Sequence, residues 1–510
     1  MFASYSIVGI VAFCAFVLFL WIIISWWKNP YKCIPGPTGW PIIGNTFEFS
    51  GNTDQHALFL QWTRQYGRIF KYYVLFGGYR IYITDPSIAR HILVTNFKNY
   101  RRQDVLRKLL PGFGTGLITA NGRTHATQRK QLNPFFSLAN VQKFFPIFVE
   151  KTNALIALWN DQLMNSSNKA IELDVLEKLT HLSLDIIGIC AFGYNFNCIM
   201  GGHSEESKAT DTVLRGNFDL QRRSLEQMIP LFTLFRSSTQ KEFIKAETCL
   251  KNLINQVIQD RRKHLENGDA TAENDLLSIL FSMVDERGLK LSSKDIYHQV
   301  FTFLISGHET TSLTIMWTLY LLAKHPDIQT EVRQEISRFT NPPCAEITWE
   351  QIERMKLLDN CIKEAMRLYP VAITTDRTSI GADTLGPHKI LPGTHVMVGT
   401  GTLHRDEEFW KDPDTFNPCR FDEIGDDKHR SLLYQFLPFS RGPRMCIGYR
   451  FATAEIKVAL VKLLSNFQFT FVSEKDSKML DSDISTISAL TLKPFPRLSL
   501  RMEHARAKSI

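Results

Sequence analysis

The sequence predicts a mostly α fold with small β-sheets, α+β in sum. Short β-like runs open the body of the chain, as in Arg68–Thr84, where Gly77 and Gly78 mark a hairpin turn. Most of the chain beyond them has helical periodicity. Of 510 residues 44% are hydrophobic, with 36 phenylalanines, enough to bury a large core. No linker, charge block or internal repeat divides the chain, so one large domain is expected at 46–510 behind an N-terminal segment.

The first 27 residues carry no charge, and Ile7–Trp27 as a helix would span about 30 Å, one hydrocarbon core. A transmembrane anchor is expected at 1–27. The alternative, a cleaved signal peptide, fits less well because the apolar stretch is long and no basic residues precede it. Lys28 and Lys32 come next, which places the body in the cytosol by the positive-inside rule. The absence of an Arg-rich amphipathic start argues against mitochondrial import. In residues 28–45, Pro35, Pro37 and Pro41 alternate with Gly36, Gly39 and Gly44, so a stiff hinge is expected between anchor and body.

Within the body, residues 267–275 read as a surface loop. A long helix is expected from a capping-box-like start at Ser292 and Asp295 to Lys324, about 48 Å, ended by His325 and Pro326. Its apolar run is interrupted by Gly307, Glu309, Thr310 and Thr311. Thr310 could simply bond back to the Ser306 carbonyl; an adjacent acid and alcohol could also deliver protons to a small ligand. Glu364 and Arg367 lie three apart on one helix face among apolar neighbours, so a buried, fully hydrogen-bonded pair is expected, with Arg420 as a third member. Cys446 stands at the start of a helix between Arg441, Arg444 and Arg450. The helix dipole and the arginines favour a thiolate there, hence a nucleophile or a metal ligand; a buried structural cysteine is the alternative.

Nine scattered cysteines without paired spacings argue against a disulfide framework or a zinc site and fit a reducing compartment. The net charge of +8 is spread along the chain, which suits an anionic membrane surface or an acidic protein partner and not a nucleic acid.

At these residues the chain resembles the cytochrome P450 family along essentially its whole length. Phe439, Gly442, Arg444, Cys446 and Gly448 match its haem-ligand motif, and Glu364 with Arg367 its E-x-x-R motif. Pro418, Arg420 and Phe421 match the P-x-R-F element, and Gly307, Glu309, Thr310 and Thr311 the oxygen-helix motif. The proline hinge after an anchor helix is similar to that of microsomal members. The resemblance implies the P450 fold, with the long helix lying over haem b (iron protoporphyrin IX).

On that resemblance Cys446 is the expected proximal thiolate ligand of the iron, which pushes electron density toward O–O cleavage. Gly442 and Gly448 would let the loop approach the porphyrin, and Phe439 would pack near the sulfur. Arg444, Arg129 and Arg377 are the expected cations for the haem propionates. His125, which can still donate a hydrogen bond, stands where the family usually has Trp. Thr310 would hold the distal oxygen and a water while Glu309 helps supply protons. Ser306 stands where the family commonly has Ala or Gly; it cannot form the ester to haem that a glutamate forms in some fatty-acid hydroxylases, so removable haem is expected.

The chain shows no flavin domain or ferredoxin-like cluster, so electrons must come from outside. The resemblance implies a membrane-bound NADPH-dependent cytochrome reductase, with cytochrome b5 a further partner, meeting Lys428, Arg430, Arg441 and Arg450. An endoplasmic reticulum location with the body in the cytosol is implied with it. Residues Asn99–Gly116, the stretch before Ser306, Val371–Thr375 and Ser482–Leu490 are expected pocket walls for a lipophilic substrate: fatty acid, sterol or foreign compound. Arg101 and Arg102 could anchor a carboxylate or serve haem or surface. The rival functions are an O2-independent isomerase or dehydratase and a non-catalytic haem sensor; the Glu309–Thr310 pair counts against both.

Overall fold

A computed structural model describes residues 30–505 apart from 41–42, 50–53, 75–77, 104–106, 108–110, 202–211, 214–237, 268–274, 341–345, 423–433, 473–484, 489–490 and 496–497, with scattered residues between 9 and 24. The expected anchor at 1–27 therefore lies largely outside the described residues. Among the described residues no helix is long and apolar enough to cross a membrane.

Residues 31–40 and 43–46 of the proline-rich segment lie against the body. They run along the first strand, β1 (Ile69–Tyr73), where Lys71 N–H donates to the Pro35 carbonyl at 2.8 Å and Asn45 N–H to the Tyr73 carbonyl at 2.9 Å. The Lys71 ammonium donates to the carbonyls of Tyr31 and Ile34, both at 2.6 Å. A Cβ at Gly36 would lie 1.9 Å from the Lys71 oxygen, so only glycine lets the two backbones meet. The predicted hairpin is present: β1 pairs antiparallel with β2 (Tyr79–Ile83).

With β3 (Tyr100–Arg101), β5 (Thr375–Ser379) and β8 (His395–Val398) these strands form a five-stranded sheet in the order β1-β2-β8-β5-β3. Only the β2–β8 pairing is parallel. A three-stranded sheet joins β4 (Ala170–Asp174), β12 (Ser499–His504) and β9 (Phe467–Phe471), with β12 central. Two hairpins complete the β structure: β6 (Asp383–Leu385) with β7 (His388–Ile390), and β10 (Ser485–Ser488) with β11 (Leu492–Phe495).

The rest is helical, around one axis. The long helix, Ser293–Lys324, begins where Ser292 Oγ accepts the Asp295 N–H at 3.2 Å and ends at His325, before Pro326 opens the next helix. A helix apolar on all sides belongs at the centre of the molecule. It packs against Val175–Phe192, Lys356–Leu368 and Tyr449–Asn466. Trp317 stacks on Tyr369 at 4.0 Å, and its indole N–H reaches the Leu492 carbonyl at 3.2 Å. Asp275, the end of the expected loop, caps the short helix Leu276–Ser282; 268–274 lie outside the described residues.

The expected ion cluster is buried. Arg367 grips both carboxylate oxygens of Glu364 at 2.8 Å, and Arg420 Nε donates to Glu364 Oε1 at 2.8 Å. Arg367 also donates to the carbonyls of His404 and Pro413, and Arg420 to that of Lys411. Glu364 and Arg367 are fully buried. Such a cluster welds the helix Lys356–Leu368 to the segment 404–420.

Candidate active site

Cys446 lies in a loop whose geometry is set by its own backbone. Residues Gly442–Arg444 form a tight turn, Met445 N–H closes it on the Gly442 carbonyl at 3.0 Å, and Cys446 N–H donates to the Phe439 carbonyl at 2.9 Å. Gly442 has φ +76°, and a Cβ there would sit 2.1 Å from the Leu93 oxygen, so this position requires glycine. Gly448 differs: an added Cβ would meet the Phe136 ring at 3.7 Å, an ordinary contact. Phe439 lies beside the sulfur loop with its ring 6.2 Å from that of Tyr449.

Cys446 is accessible, yet desolvation dominates its acidity. The two facts agree if the thiol faces a void inside the molecule and not bulk water. Burial raises the thiol above its ordinary value, against the Gly448 N–H and the Arg129 charge, which lower it. The expected stabilising contributions are present, and burial works against them. Arg444 turns aside to the Ala120 carbonyl and to Asn121 Oδ1. A bound metal cation would supply the missing stabilisation, since coordination deprotonates a thiol.

The long helix has an opening of its own. From His298 to Ala323 every residue is buried except Ser306, Gly307 and Thr310. Ser306 and Thr310 lie one turn apart on one face. Each hydroxyl turns back on its own helix, Ser306 to the Thr302 carbonyl and Thr310 to the Ser306 carbonyl at 2.8 Å. Gly307 serves helix packing: a Cβ there would meet Ile187 Cγ1 at 2.9 Å. Glu309 is buried, and its Oε1 accepts from Thr491 Oγ1 at 3.1 Å and pairs with Lys493 Nζ at 2.5 Å. The acid and the alcohol are neighbours in sequence, but different partners hold them.

The predicted cations converge. Arg377 is buried, and its guanidinium is pushed well below its ordinary value by burial and by Arg102 and Arg444. Arg444 is lowered to about 10 by burial, Arg102 and Arg129. Arg129 reaches the Met445 carbonyl at 2.6 Å and so also braces the cysteine loop. His125 is pushed down to about 3 by burial and then by Arg444, Arg129, Arg102 and Arg377, so its ring is neutral and keeps one N–H donor. Arg102 belongs to this group, a place motif matching did not assign it; β3 next to β5 brings it there. Its Nε is buried without a partner, and Asp376 is the carboxylate that partly offsets it.

Four guanidiniums, with Asp376 the carboxylate that offsets Arg102 and Arg377 among the described residues, make a site that favours further negative charge. A planar iron porphyrin with two carboxylates would fit this set: Cys446 would hold its metal and the arginines its carboxylates. Of the expected pocket walls, 111–116 pack on the long helix through His298, Phe301 and Thr302, and Ala372 is exposed between half-buried Val371 and buried Ile373. Of the basic residues expected to meet a redox partner, Arg450 is exposed over the Tyr449 ring and Arg441 is half-buried. Lys428 and Arg430 lie outside the described residues.

Comparison with known proteins agrees with this geometry. A family model described as Cytochrome P450 matches residues 34–496. The chain is 31% identical over 377 residues to cytochrome P450 4F5 of Rattus norvegicus, covering 71% of this chain and 70% of that one. It is 31% identical to cytochrome P450 4Z1 of Homo sapiens, covering 76% of each. Identity to the cytochrome P450 monooxygenase claP of Ampulloclitocybe clavipes is 28%, over 91% of this chain and 92% of the other. The crystal structure of the cytochrome P450DA heme domain superimposes with a TM-score of 0.77 at 25% identity, covering 93% of this chain and 98% of that one. The chain belongs to the cytochrome P450 family and is a haem-thiolate monooxygenase, working with a redox partner on a lipophilic substrate.

Proposed function

We propose that Cys446 is the ligand of a non-covalently held haem b, with Arg102, Arg129, Arg377, Arg444 and His125 holding its propionates. The observation that carries this reading is a pair of openings: an accessible cysteine in a loop braced by Arg129, one of a converging cluster of arginines, and Ser306 with Thr310 as the open face of a buried helix. When bound, the haem supplies a thiolate-ligated iron that activates O2. One oxygen atom enters the substrate and the other leaves as water, with two electrons and two protons. The protein's part is to bind, exclude water and move those protons. Thr310 holds a distal water or oxygen: its bond to an interior helix carbonyl is supplementary and gives way at little cost. Glu309 hands protons inward. Ser306, lacking a carboxyl, leaves the haem removable.

The electrons come from a membrane-bound NADPH-dependent reductase, with cytochrome b5 a further donor, docking over Arg441 and Arg450. The site is on the endoplasmic reticulum membrane, anchored by residues 1–27, with the body in the cytosol. The uncharged sequence of that segment and the exposed side chains of Phe13, Phe16, Val17, Phe19, Leu20 and Ile24 support the anchor. Pro35 and Asn45 of the hinge, bonded to β1, then set the body's orientation. The full-length protein in detergent, reduced under carbon monoxide, is expected to show the difference band of thiolate-ligated haem. Cys446→His should move the band to the imidazole position; an unmoved band in a haem-loaded variant would assign the ligand elsewhere.

A further inference from the structure

Glu309 lies within a network the monooxygenase reaction does not explain. Its carboxylate is held by Thr491 and Lys493, at the start of and within β11. Lys493 precedes Pro494, which biases it to the extended backbone, and pairs in register with Ile487 of β10. Its neighbour Leu492 is tied on both sides: its N–H donates to the Val371 carbonyl at 2.9 Å and its carbonyl accepts from Trp317 at 3.2 Å. Strand β10, which lies within the expected wall Ser482–Leu490 and pairs with β11, and the segment 371–375 belong to two of the expected pocket walls. One strand therefore links both walls to the acid beside Thr310.

We infer that Lys493 is a positioning residue, a latch that holds Glu309 off the Thr310 face until a filled pocket shifts β11; this rests on the reading of Glu309 as a proton donor. Both contacts fall on Glu309 Oε1, the ammonium at 2.5 Å and the threonine hydroxyl at 3.1 Å, so the carboxylate is anchored to β11 and must leave both to swing onto the Ser306–Thr310 face. Lys493 Nζ has reach to spare: its side chain is about one quarter exposed, at 27%, whereas that of Glu309 is 10% exposed. The lysine can retreat toward solvent while the glutamate has only the interior to turn into. With the pocket empty, the latch withholds protons and suppresses the wasteful reaction in which O2, NADPH and one proton become hydrogen peroxide and NADP+.

The test uses the full-length haem-loaded enzyme with an NADPH-dependent reductase and no substrate. Lys493→Met is expected to raise peroxide release about fivefold, the population shift that loss of one partly exposed ion pair allows. Lys493→Arg should restore the low rate. On a Glu309→Gln background, Lys493→Met should add nothing. As a readout independent of turnover, amide exchange across Thr491–Phe495 should quicken equally in Lys493→Met and Glu309→Gln, which lose the same bond. Faster exchange with unchanged peroxide would reduce Lys493 to a structural contact and overturn the latch. So would a peroxide increase that persists without Glu309. If Glu309→Gln leaves proton-dependent turnover untouched, the donor assignment itself fails, an outcome distinct from failure of Lys493 alone.

Discussion

Glu455, on the helix just after the cysteine loop, is a single buried carboxyl. Ser183 donates to its Oε1 at 2.6 Å, while Oε2 has no partner. Burial weakens it as an acid, raising its pKa from an ordinary 4.5 to about 8. Between those values the folded chain keeps a proton that the unfolded chain has lost. The contribution to stability is therefore full below about 4.5, declines as pH rises, and is gone above about 8. Glu455→Gln keeps the shape and the Ser183 bond and removes the titration. It is expected to flatten the pH dependence and to stabilise the protein in mild alkali by up to a few kcal/mol, since one pKa unit is about 1.4 kcal/mol. Urea midpoints for both proteins on either side of neutrality check this; parallel pH profiles would refute it.

At the scale of an element, the cysteine loop separates two glycines that look alike in the motif. Gly442 answers to the polypeptide, through its positive φ and the Leu93 carbonyl. Gly442→Ala is expected to cost about 1–3 kcal/mol of backbone strain and to lower the melting temperature with or without haem. Gly448 has ordinary room on the protein side. Gly448→Ala should leave the haem-free melting temperature unchanged and weaken haem retention, seen as faster haem transfer to an acceptor protein. Equal melting losses in the two variants would show that both glycines serve the fold alone. On the long helix Gly307 likewise serves packing, giving the helix Val175–Phe192 its close approach at Ile187.

At the scale of the whole molecule, the Glu364–Arg367–Arg420 cluster ties the helical body to the chain that leads toward the cysteine loop. Removing one member of a buried cluster leaves charge uncompensated and costs about 3–5 kcal/mol. Domains have only about 5–15 kcal/mol to lose. Glu364→Ala, which strands two guanidiniums, should therefore yield little folded, haem-loaded protein, whereas the exposed pair Arg64–Glu407 can be broken by Glu407→Ala with almost no change. Haem absorbance per mole of purified protein measures both.

Much of this site was legible in the sequence because its signals are local. The helix start after Cys446, the cap at Ser292, the three-residue spacing of Glu364 and Arg367, and the hairpin around Gly78 depend on neighbours within a few residues. Those features stand where the periodicity places them. What depends on distant segments was not legible. The sequence left Arg102 between carboxylate, haem and surface roles; β3 beside β5 brings it to the other cations. Glu309 turns to Lys493, 184 residues away in numbering, and not to its neighbour Thr310. The thiol of Cys446 is raised by burial that no motif encodes, and Tyr31, Ile34 and Pro35 lie against β1 because Lys71 binds their carbonyls. Local spacing sets which groups share a helix face. Charge, burial and the direction of a long side chain are set by whatever the fold brings against it, and only the tertiary structure decides that.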